Sequence, residues 1–310
     1  MAEADYIVEK VWRLFVAKEL VRELISAGVH LGHSASRWNP KMKAFIFAKR
    51  GNIHIIDVKK TLTGLLIAKK LLAEVISGGK DVVFVGTKRQ AQKAVETAAE
   101  KCAMHYISVR WLGGTLTNFR TIRAQLQRLE QLEAMQDSGS LENESKKQAS
   151  RLKREMRKIK ANLDGIRKMS RLPGVVVVVD AKKEYIALRE ATKLGIPTIG
   201  IIDTDSDPDT LDVAIPANDD SIRAIDLIIN ELADAVASGK TMISASSQSL
   251  QAQLTPSAKR ARSSRSALAR ADQEQSESAV AVGDEPEKAV ETTEKTEDQR
   301  PKTEDQSPKS

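Results

Sequence analysis

Three stretches of this chain are almost continuously apolar, and helical patterns lie between them. The three stretches lie at residues 81–86, at the five valines 175–179 and at residues 196–202. A strand that is apolar on both faces must be covered on both faces, which is typical of a parallel sheet between two layers of helices. Parallel neighbours in such a sheet are joined by right-handed crossovers through the helices. The sequence therefore predicts a three-layer α/β domain with a parallel central sheet.

The other predicted elements alternate around these strands. Short strands at 44–47 and 53–57 flank a turn at Gly51, and a further short strand covers 213–215. Asp57 can cap a helix that ends at Gly78, because an acidic side chain accepts amide hydrogens at a helix start and glycine favours a helix end. Helical patterns also cover residues 88–102, 183–194 and 219–238.

A different periodicity interrupts this order between residues 110 and 171. Two series of apolar residues are spaced four and three apart, which is a heptad seam, and the polar turn 136–140 separates them. They predict an inserted antiparallel coiled-coil hairpin, called the arm below. Residues 146–171 hold 11 basic side chains and two acidic ones, which indicates either a polyanion-binding face or a solvated helix surface. The seam residues are Phe119, Ile122, Leu126, Leu129 and Leu132, then Leu152, Met156, Ile159, Leu163 and Ile166.

These patterns divide the chain into four parts. They are an N-terminal extension (1–23), a discontinuous α/β domain (24–109 and 172–239), the arm (110–171) and a tail (240–310). Beyond residue 240 there is no aromatic residue, and a basic segment is followed by an acidic one, so the tail is predicted to be disordered. Residues 1–240 carry 39 basic and 30 acidic side chains. This excess favours a nucleic acid or another polyanion as partner.

Composition also excludes several classes of protein. The single cysteine, Cys102, excludes an intramolecular disulfide and a cysteine-rich zinc ribbon. The first residues lack the pattern of a secretory signal, and no apolar stretch approaches the roughly 18–20 residues of a membrane span. We therefore expect a soluble cytoplasmic protein with no membrane partner.

Residues 110–120 combine the side chains that favour contact with RNA. Arg110 and Arg120 can pair with phosphates, the Trp111 ring can stack on a base, and Asn118 can donate hydrogen bonds. A glycine pair at 113–114 lets the backbone approach a ligand closely. The alternative is a helix entry with a buried tryptophan and ordinary surface arginines.

Three motifs that could indicate an enzyme do not have the required spacing. Lys240 follows a glycine, as in a nucleotide-binding loop, but a predicted helix precedes it and the first glycine is missing. Residues 86–88 follow a strand and open a helix, so Lys88 and Arg89 are predicted to contact phosphate without forming a nucleotide cradle. The acidic loop 203–209 resembles a phosphatase nucleophile motif, yet Asp219 and Asp220 follow too soon to be that family's metal pair. The loop fits turn chemistry better.

His30 and His33 are three residues apart and could hold a metal ion. No third and fourth ligand lie near them in sequence, so hydrogen-bonded or RNA-facing imidazoles are the preferred interpretation. No metal and no cofactor are predicted.

Seven motifs in order closely resemble the family of the second small-subunit ribosomal protein of bacteria. They lie at residues 27–33, 38–43, 53–57, 84–88, 110–120, 194–197 and 203–208, within a match from about Leu24 to Gly239. The resemblance implies a flavodoxin-like domain with a protruding coiled-coil hairpin, bound to small-subunit rRNA. It also implies neighbouring ribosomal proteins as partners and support for recruiting the mRNA-binding ribosomal protein one.

The resulting hypothesis is a non-enzymatic structural protein of the small ribosomal subunit with no small-molecule substrate. A phosphatase that uses the 203–209 loop and a free coiled-coil adaptor are the alternatives. The residues expected to bind rRNA are Arg37, Trp38, Asn39, Lys41, Lys43, Lys88, Arg89, Arg110, Trp111, Asn118 and Arg120.

Overall fold

The structure is a computed structural model that describes residues 18–140 and 145–241. The predicted tail beyond residue 241 and residues 1–17 of the predicted extension lie outside the described residues. The described residues belong to one compact unit. The sheet and the arm therefore belong to the same unit, and the boundaries at residues 110 and 171 stay a prediction.

The described residues form eight strands and seven helices, besides short 3-10 turns. The strands are β1 (Leu31–Ser34), β2 (Ile46–Arg50), β3 (Ile53–Ile56), β4 (Val82–Val85), β5 (His105–Ile107), β6 (Val175–Val179), β7 (Thr198–Ile202) and β8 (Val213–Pro216). The helices are α1 (18–26), α2 (Val58–Ser77), α3 (Arg89–Lys101), α4 (Phe119–Asp137), α5 (Lys146–Leu163), α6 (Tyr185–Leu194) and α7 (222–241).

The central sheet has five parallel strands in the order β5-β4-β6-β7-β8. Counted from β4, this is the 2-1-3-4-5 order of flavodoxin-like folds, so the predicted fold class is confirmed. The order reverses between β4 and β6, because the chain leaves β4 for one edge and later returns to its other side. In open α/β sheets, side chains that serve a function gather beyond the carboxyl ends of the strands at such a reversal.

Helices cover both faces of this sheet, as the apolar strands require. In β6, Val175 and Val177 pack with α1, α2, α3 and α7, whereas Val176 and Val178 pack with α6 and the root of the arm. All five valines of β6 are buried. The second layer thus includes the arm itself, through Ile122 on α4, together with the residues at the end of α5.

A small antiparallel sheet, in the order β1-β3-β2, precedes the central one. Gly51 has φ +61° in the turn of the β2–β3 hairpin, a conformation that favours glycine. The predicted strand at 44–47 begins two residues later than expected, because residues 40–45 form a 3-10 helix that Asn39 caps. Strands β1 and β5 were not predicted.

The arm is a hairpin of α4 and α5, as predicted. Ile122, Leu126, Leu129 and Leu132 of the first seam are buried along α4. In the second seam Leu163 and Ile166 are buried, and the residues nearer the tip are half-buried. Near the root, the Arg123 guanidinium donates to the carbonyl oxygen of Ser170, so the chain returns beside the point where it left.

Other element ends differ from the predictions by a few residues. Helix α6 begins at Tyr185 rather than at 183, and β7 begins after Pro197, which cannot donate an amide hydrogen bond to a neighbouring strand. Helix α7 begins at 222 rather than at 219, because Asn218 accepts the amides of Asp220 and Ser221 in a turn ahead of it. Within residues 18–140 and 145–241, no helix is long and apolar enough to cross a membrane.

Candidate nucleic-acid interface

The turn at residues 110–120 links β5 to the arm and is held from inside the protein. Trp111 is only 6% exposed, and its indole nitrogen donates to Oε1 of Glu190, a residue of α6, at 3.2 Å. The backbone amide of Gly114 donates to the same oxygen at 2.7 Å, and Gly114 adopts φ +88°. The amides of Leu116 and Thr117 donate to Oε2 at 3.0 and 3.2 Å. The turn is therefore wrapped around one carboxylate.

The charged side chains of this turn point outward. Arg110 and Arg120 are exposed, and neither forms an ion pair among the residues that the structure describes. Asn118 is also exposed, and its side-chain oxygen accepts a hydrogen bond from the Thr121 hydroxyl. Trp111 differs from the expectation, because its ring lies in the core beneath the arm and offers no face for a base to stack on. We therefore leave Trp111 out of the proposed RNA contacts.

The predicted residues 37–43 form a second surface segment. Its backbone is fixed by Asn39, whose amide donates to the carbonyl oxygen of Thr204 at 2.8 Å. The Trp38 ring is half-buried, and its centroid lies 5.3 Å from that of the buried His54 ring. Arg37 is exposed and forms no ion pair with any described residue, and the same is true of Lys43.

Lys41, in the same segment, is already paired. Its ammonium lies 2.8 Å from a carboxylate oxygen of Asp207 and 2.7 Å from one of Asp209. The hydrogen bonds to these two carboxylates raise the pKa of Lys41, and the bond from Lys41 lowers the pKa of Asp207. The acidic loop thus reduces the net charge that Lys41 can offer to phosphate.

Lys88 lies beyond the carboxyl end of β4, where the strand order reverses, and three carboxylates surround it. Its ammonium is 2.6 Å from Asp220, 2.7 Å from Asp219 and 3.7 Å from Asp180. The amide of Thr87 donates to Glu184 at 3.0 Å, so an internal carboxylate occupies the start of α3. The Glu184 carboxylate therefore takes the place at the N-terminus of α3 where a phosphate would bind. Of the predicted pair, only Arg89 is exposed.

The acidic loop packs against His33 rather than forming an open active site. Asp203 is fully buried, and its Oδ1 accepts the His33 backbone amide at 3.1 Å. Its Oδ2 lies 2.8 Å from Nδ1 of the same histidine, and Nε2 of His33 lies 3.3 Å from Asp220. Asp205 pairs with Lys182 at 2.9 Å. A carboxylate as enclosed as that of Asp203 is not accessible as a nucleophile.

The same cluster contains the group that could hold a metal ion. His33, Asp203 and Asp219 each place one ligand atom within 4.8 Å of the others. One imidazole and two carboxylates are donors that zinc accepts. In the described arrangement, however, the positive charge comes from Lys88 and from the proton on His33. His30, which was considered with His33, does not belong to this group, and its buried Nδ1 has no hydrogen-bond partner among the residues described.

Two groups of this cluster, His33 and Asp219, have raised pKa values, for different reasons. The hydrogen bond from His33 to Asp203 raises the pKa of the imidazole from 6.5 to about 9, and nearby carboxylates add to the effect. Burial raises the pKa of Asp219 from 3.8 to about 7, against the opposing influence of Lys88. At neutral pH His33 is therefore a cation in the folded protein.

We expect the free energy of unfolding to fall by about 1–2 kcal/mol between pH 6.5 and 9, after allowance for solvent screening of the half-buried imidazole. Below pH 6.5 both the folded and the unfolded chain bind the His33 proton, so its stabilisation is complete. Between 6.5 and 9 only the folded chain keeps that proton, and the stabilisation is lost. The cost of ionising Asp219 develops between pH 3.8 and 7 and is constant above.

Urea unfolding at pH 6.5 and pH 9 measures this difference. In His33→Gln most of the fall should disappear, and what remains is the last part of the Asp219 ionisation. His105→Gln is the matched control and should keep the fall, because burial lowers the pKa of His105 and so gives a pH dependence of the opposite sign. An equal fall in the protein and in His33→Gln would contradict the assignment.

Sequence analysis missed two carboxylates that organise these surfaces, Glu190 and Glu184. Both are buried, although Glu190 belongs to α6 and Glu184 is the N-cap residue just before it. The burial of Glu190 could have been predicted from its position, because it lies beside Ala187 and Ala191 on the face of a helix that must pack against the sheet. Nothing in the sequence indicated that its partners lie more than 70 residues earlier.

The fold and this surface define a class: a three-layer α/β protein that carries a basic helical arm with two exposed arginines, Arg110 and Arg120, at its root. The family model described as ribosomal protein S2 matches residues 24–239. The chain therefore belongs to the ribosomal protein S2 family, and the resemblance seen in the seven motifs is confirmed.

Individual relatives agree with the family assignment. The chain is 56% identical over 225 residues to small ribosomal subunit protein uS2 of Rhodopirellula baltica, which covers 73% of this chain and 86% of that protein. It is 47% identical over 216 residues to the uS2 protein of Treponema pallidum, covering 70% and 74%. The uS2 protein of Koribacter versatilis is 46% identical over 246 residues, covering 78% and 82%.

Proposed function

We propose that this chain is a structural constituent of the small ribosomal subunit in the cytoplasm and binds small-subunit rRNA through the turn 110–120. The observation that supports this most directly is that Arg110 and Arg120 are exposed, flank a turn fixed from inside, and have no acidic partner among the described residues. Cations held apart from internal carboxylates are available to phosphate. The proposed contacts also include Asn118 and Arg89.

The outer face of α5 supports a polyanionic partner. Lys147, Arg151, Arg154 and Lys158 are exposed, and none of them forms an ion pair with a described residue. Their spacing of four, three and four places them on one side of the helix, away from the buried seam. Arg37 and Lys43 add charge on the segment before β2. A surface of this sign fits a phosphate backbone better than it fits most protein partners.

We further propose that the protein is not an enzyme and that it supports recruitment of the mRNA-binding ribosomal protein one. The first proposal is supported by the enclosure of Asp203 and by the ion pairs of Asp205 and Asp207. The second rests on the family resemblance. Ribosomes depleted of this chain should therefore lose ribosomal protein one, which quantitative mass spectrometry of purified small subunits would detect.

A sedimentation experiment tests the main proposal. Tagged full-length chain is followed through a moderate-salt sucrose gradient of cell extract, and it should travel with small subunits and with complete ribosomes. A chain that stays at the top of the gradient with free proteins would instead favour the coiled-coil adaptor or the phosphatase. Magnesium-dependent phosphate release that disappears in Asp203→Asn would identify the phosphatase.

A further inference from the structure

The Glu190 carboxylate holds the proposed RNA-binding turn in place through hydrogen bonds. It is 8% exposed, and its two carboxylate oxygens accept five hydrogen bonds from the turn. Every donor belongs to residues 111–117, so the contacts fall between Arg110 and Arg120 in sequence. They are the indole nitrogen of Trp111, the amides of Gly114, Leu116 and Thr117, and the hydroxyl of Thr117.

A buried carboxylate without a cation needs this many donors. Taking an ionised carboxylate out of water is costly unless hydrogen bonds replace its hydration, and Glu190 forms no ion pair with any described residue. Burial alone raises the pKa of Glu190, yet the amide donors outweigh it, so the net shift of that pKa is downward. The charged form is therefore the one that the turn stabilises.

The consequence is a fixed separation of the two arginines. Without a central acceptor, the amides of 114, 116 and 117 would lose their partner and the turn could adopt many conformations, especially at Gly113 and Gly114. With the acceptor in place, the entry to α4 and the end of β5 are tied to α6, which packs on the sheet.

We infer that Glu190 is a positioning residue for rRNA binding: it touches no RNA, and it orders the turn so that Arg110 and Arg120 reach phosphates together. This inference rests on the proposed function. Ordering a binding loop before contact increases affinity, because the entropy of ordering is not lost on binding. Phosphate contacts, by contrast, determine how steeply the affinity falls with salt.

This difference gives the test. Full-length Glu190→Gln and the unaltered protein are titrated against an in vitro transcript of the small-subunit rRNA at several salt concentrations. A glutamine side chain keeps the size, but its amino group would face donors and lose at least the bonds to one oxygen. We expect affinity to fall about tenfold at every salt concentration, with the salt slope unchanged. Hydrogen exchange at residues 114–117 should also become faster.

Asp212→Asn is the matched control. Asp212 likewise accepts a backbone amide and a hydroxyl, both from Thr198, but it precedes β8 at the opposite edge of the sheet from β5. This variant should bind the transcript like the unaltered protein. If Glu190→Gln fails to fold, Thr117→Val removes one of the five donors and should give a smaller loss of affinity with the same slope.

The outcomes separate the two claims. If the unaltered protein shows no salt-dependent binding to the transcript, the proposed function is wrong and the positioning role falls with it. If the unaltered protein binds and folded Glu190→Gln binds equally well, only the positioning role is overturned. A reduced salt slope in Glu190→Gln would also overturn it, because that result would mean lost phosphate contacts rather than a disordered turn.

Discussion

The double variant Arg110→Ala/Arg120→Ala should bind small-subunit rRNA at least about tenfold more weakly at moderate salt. The variant neutralises two fewer phosphates, so its binding releases fewer counterions from the RNA. The slope of log affinity against log salt should become shallower by roughly 1.4–1.8, which corresponds to two contacts on single-stranded or duplex sites. Both side chains are exposed and form no ion pair within the described part of the chain, so their removal leaves no buried carboxylate unpaired. Fluorescence anisotropy with a labelled transcript measures both quantities.

A control must separate these two positions from net charge alone. Arg22→Ala/Arg223→Ala removes the same two charges from α1 and α7, and both arginines are exposed without an ion pair to a described residue. This variant should keep the slope within error. An equal change of slope in both double variants would mean that the whole cationic surface, rather than the turn, determines binding.

The central strands of the parallel sheet could be predicted because their sequences identify them without knowledge of their neighbours. The sequence of β6 is apolar at every position, and a strand of that kind can only be central. β5 was missed because it has only three residues, of which only Ile107 is buried, so no apolar run identifies it and its pairing with β4 defines it. β1 was missed for a related reason: its four residues pair irregularly with β3, so no local alternation identifies them.

The candidate site was predicted less well, because the sequence gives the charge of each side chain but does not show which distant residues pair with it. From the sequence, Lys88 is predicted to contact phosphate. In the fold it pairs instead with Asp219 and Asp220, which lie more than 130 residues later in the chain. Trp111 reads equally well as a stacking ring or as a core anchor, and the acceptor that decides between them is Glu190 on α6. Arg110 and Arg120 kept their predicted exposure because no carboxylate of the described residues pairs with them.

A second large effect is expected on the free energy of unfolding, from a substitution at Gly165 in the 3-10 turn that follows α5. A Cβ atom on Gly165 would lie 2.2 Å from the carbonyl oxygen of Tyr106 and 2.8 Å from its ring. The first of these is backbone in β5, so it cannot move without disturbing the strand. Gly165→Ala should therefore lower the free energy of unfolding by about 1–3 kcal/mol, the usual cost of forcing extra volume into a packed site. Urea unfolding measures it.

Gly113→Ala is the control that distinguishes crowding from a general effect of replacing glycine. Its Cβ would meet no atom within 4 Å, and its φ is not positive, so it should leave stability nearly unchanged. If Gly165→Ala were equally harmless, the short 3-10 turn at 164–166 would have to stand further from β5 than described. The root of the arm would then not be fixed to the edge of the sheet. The turn at residues 110–120 would be held by Glu190 alone, without the packing of Gly165 against β5.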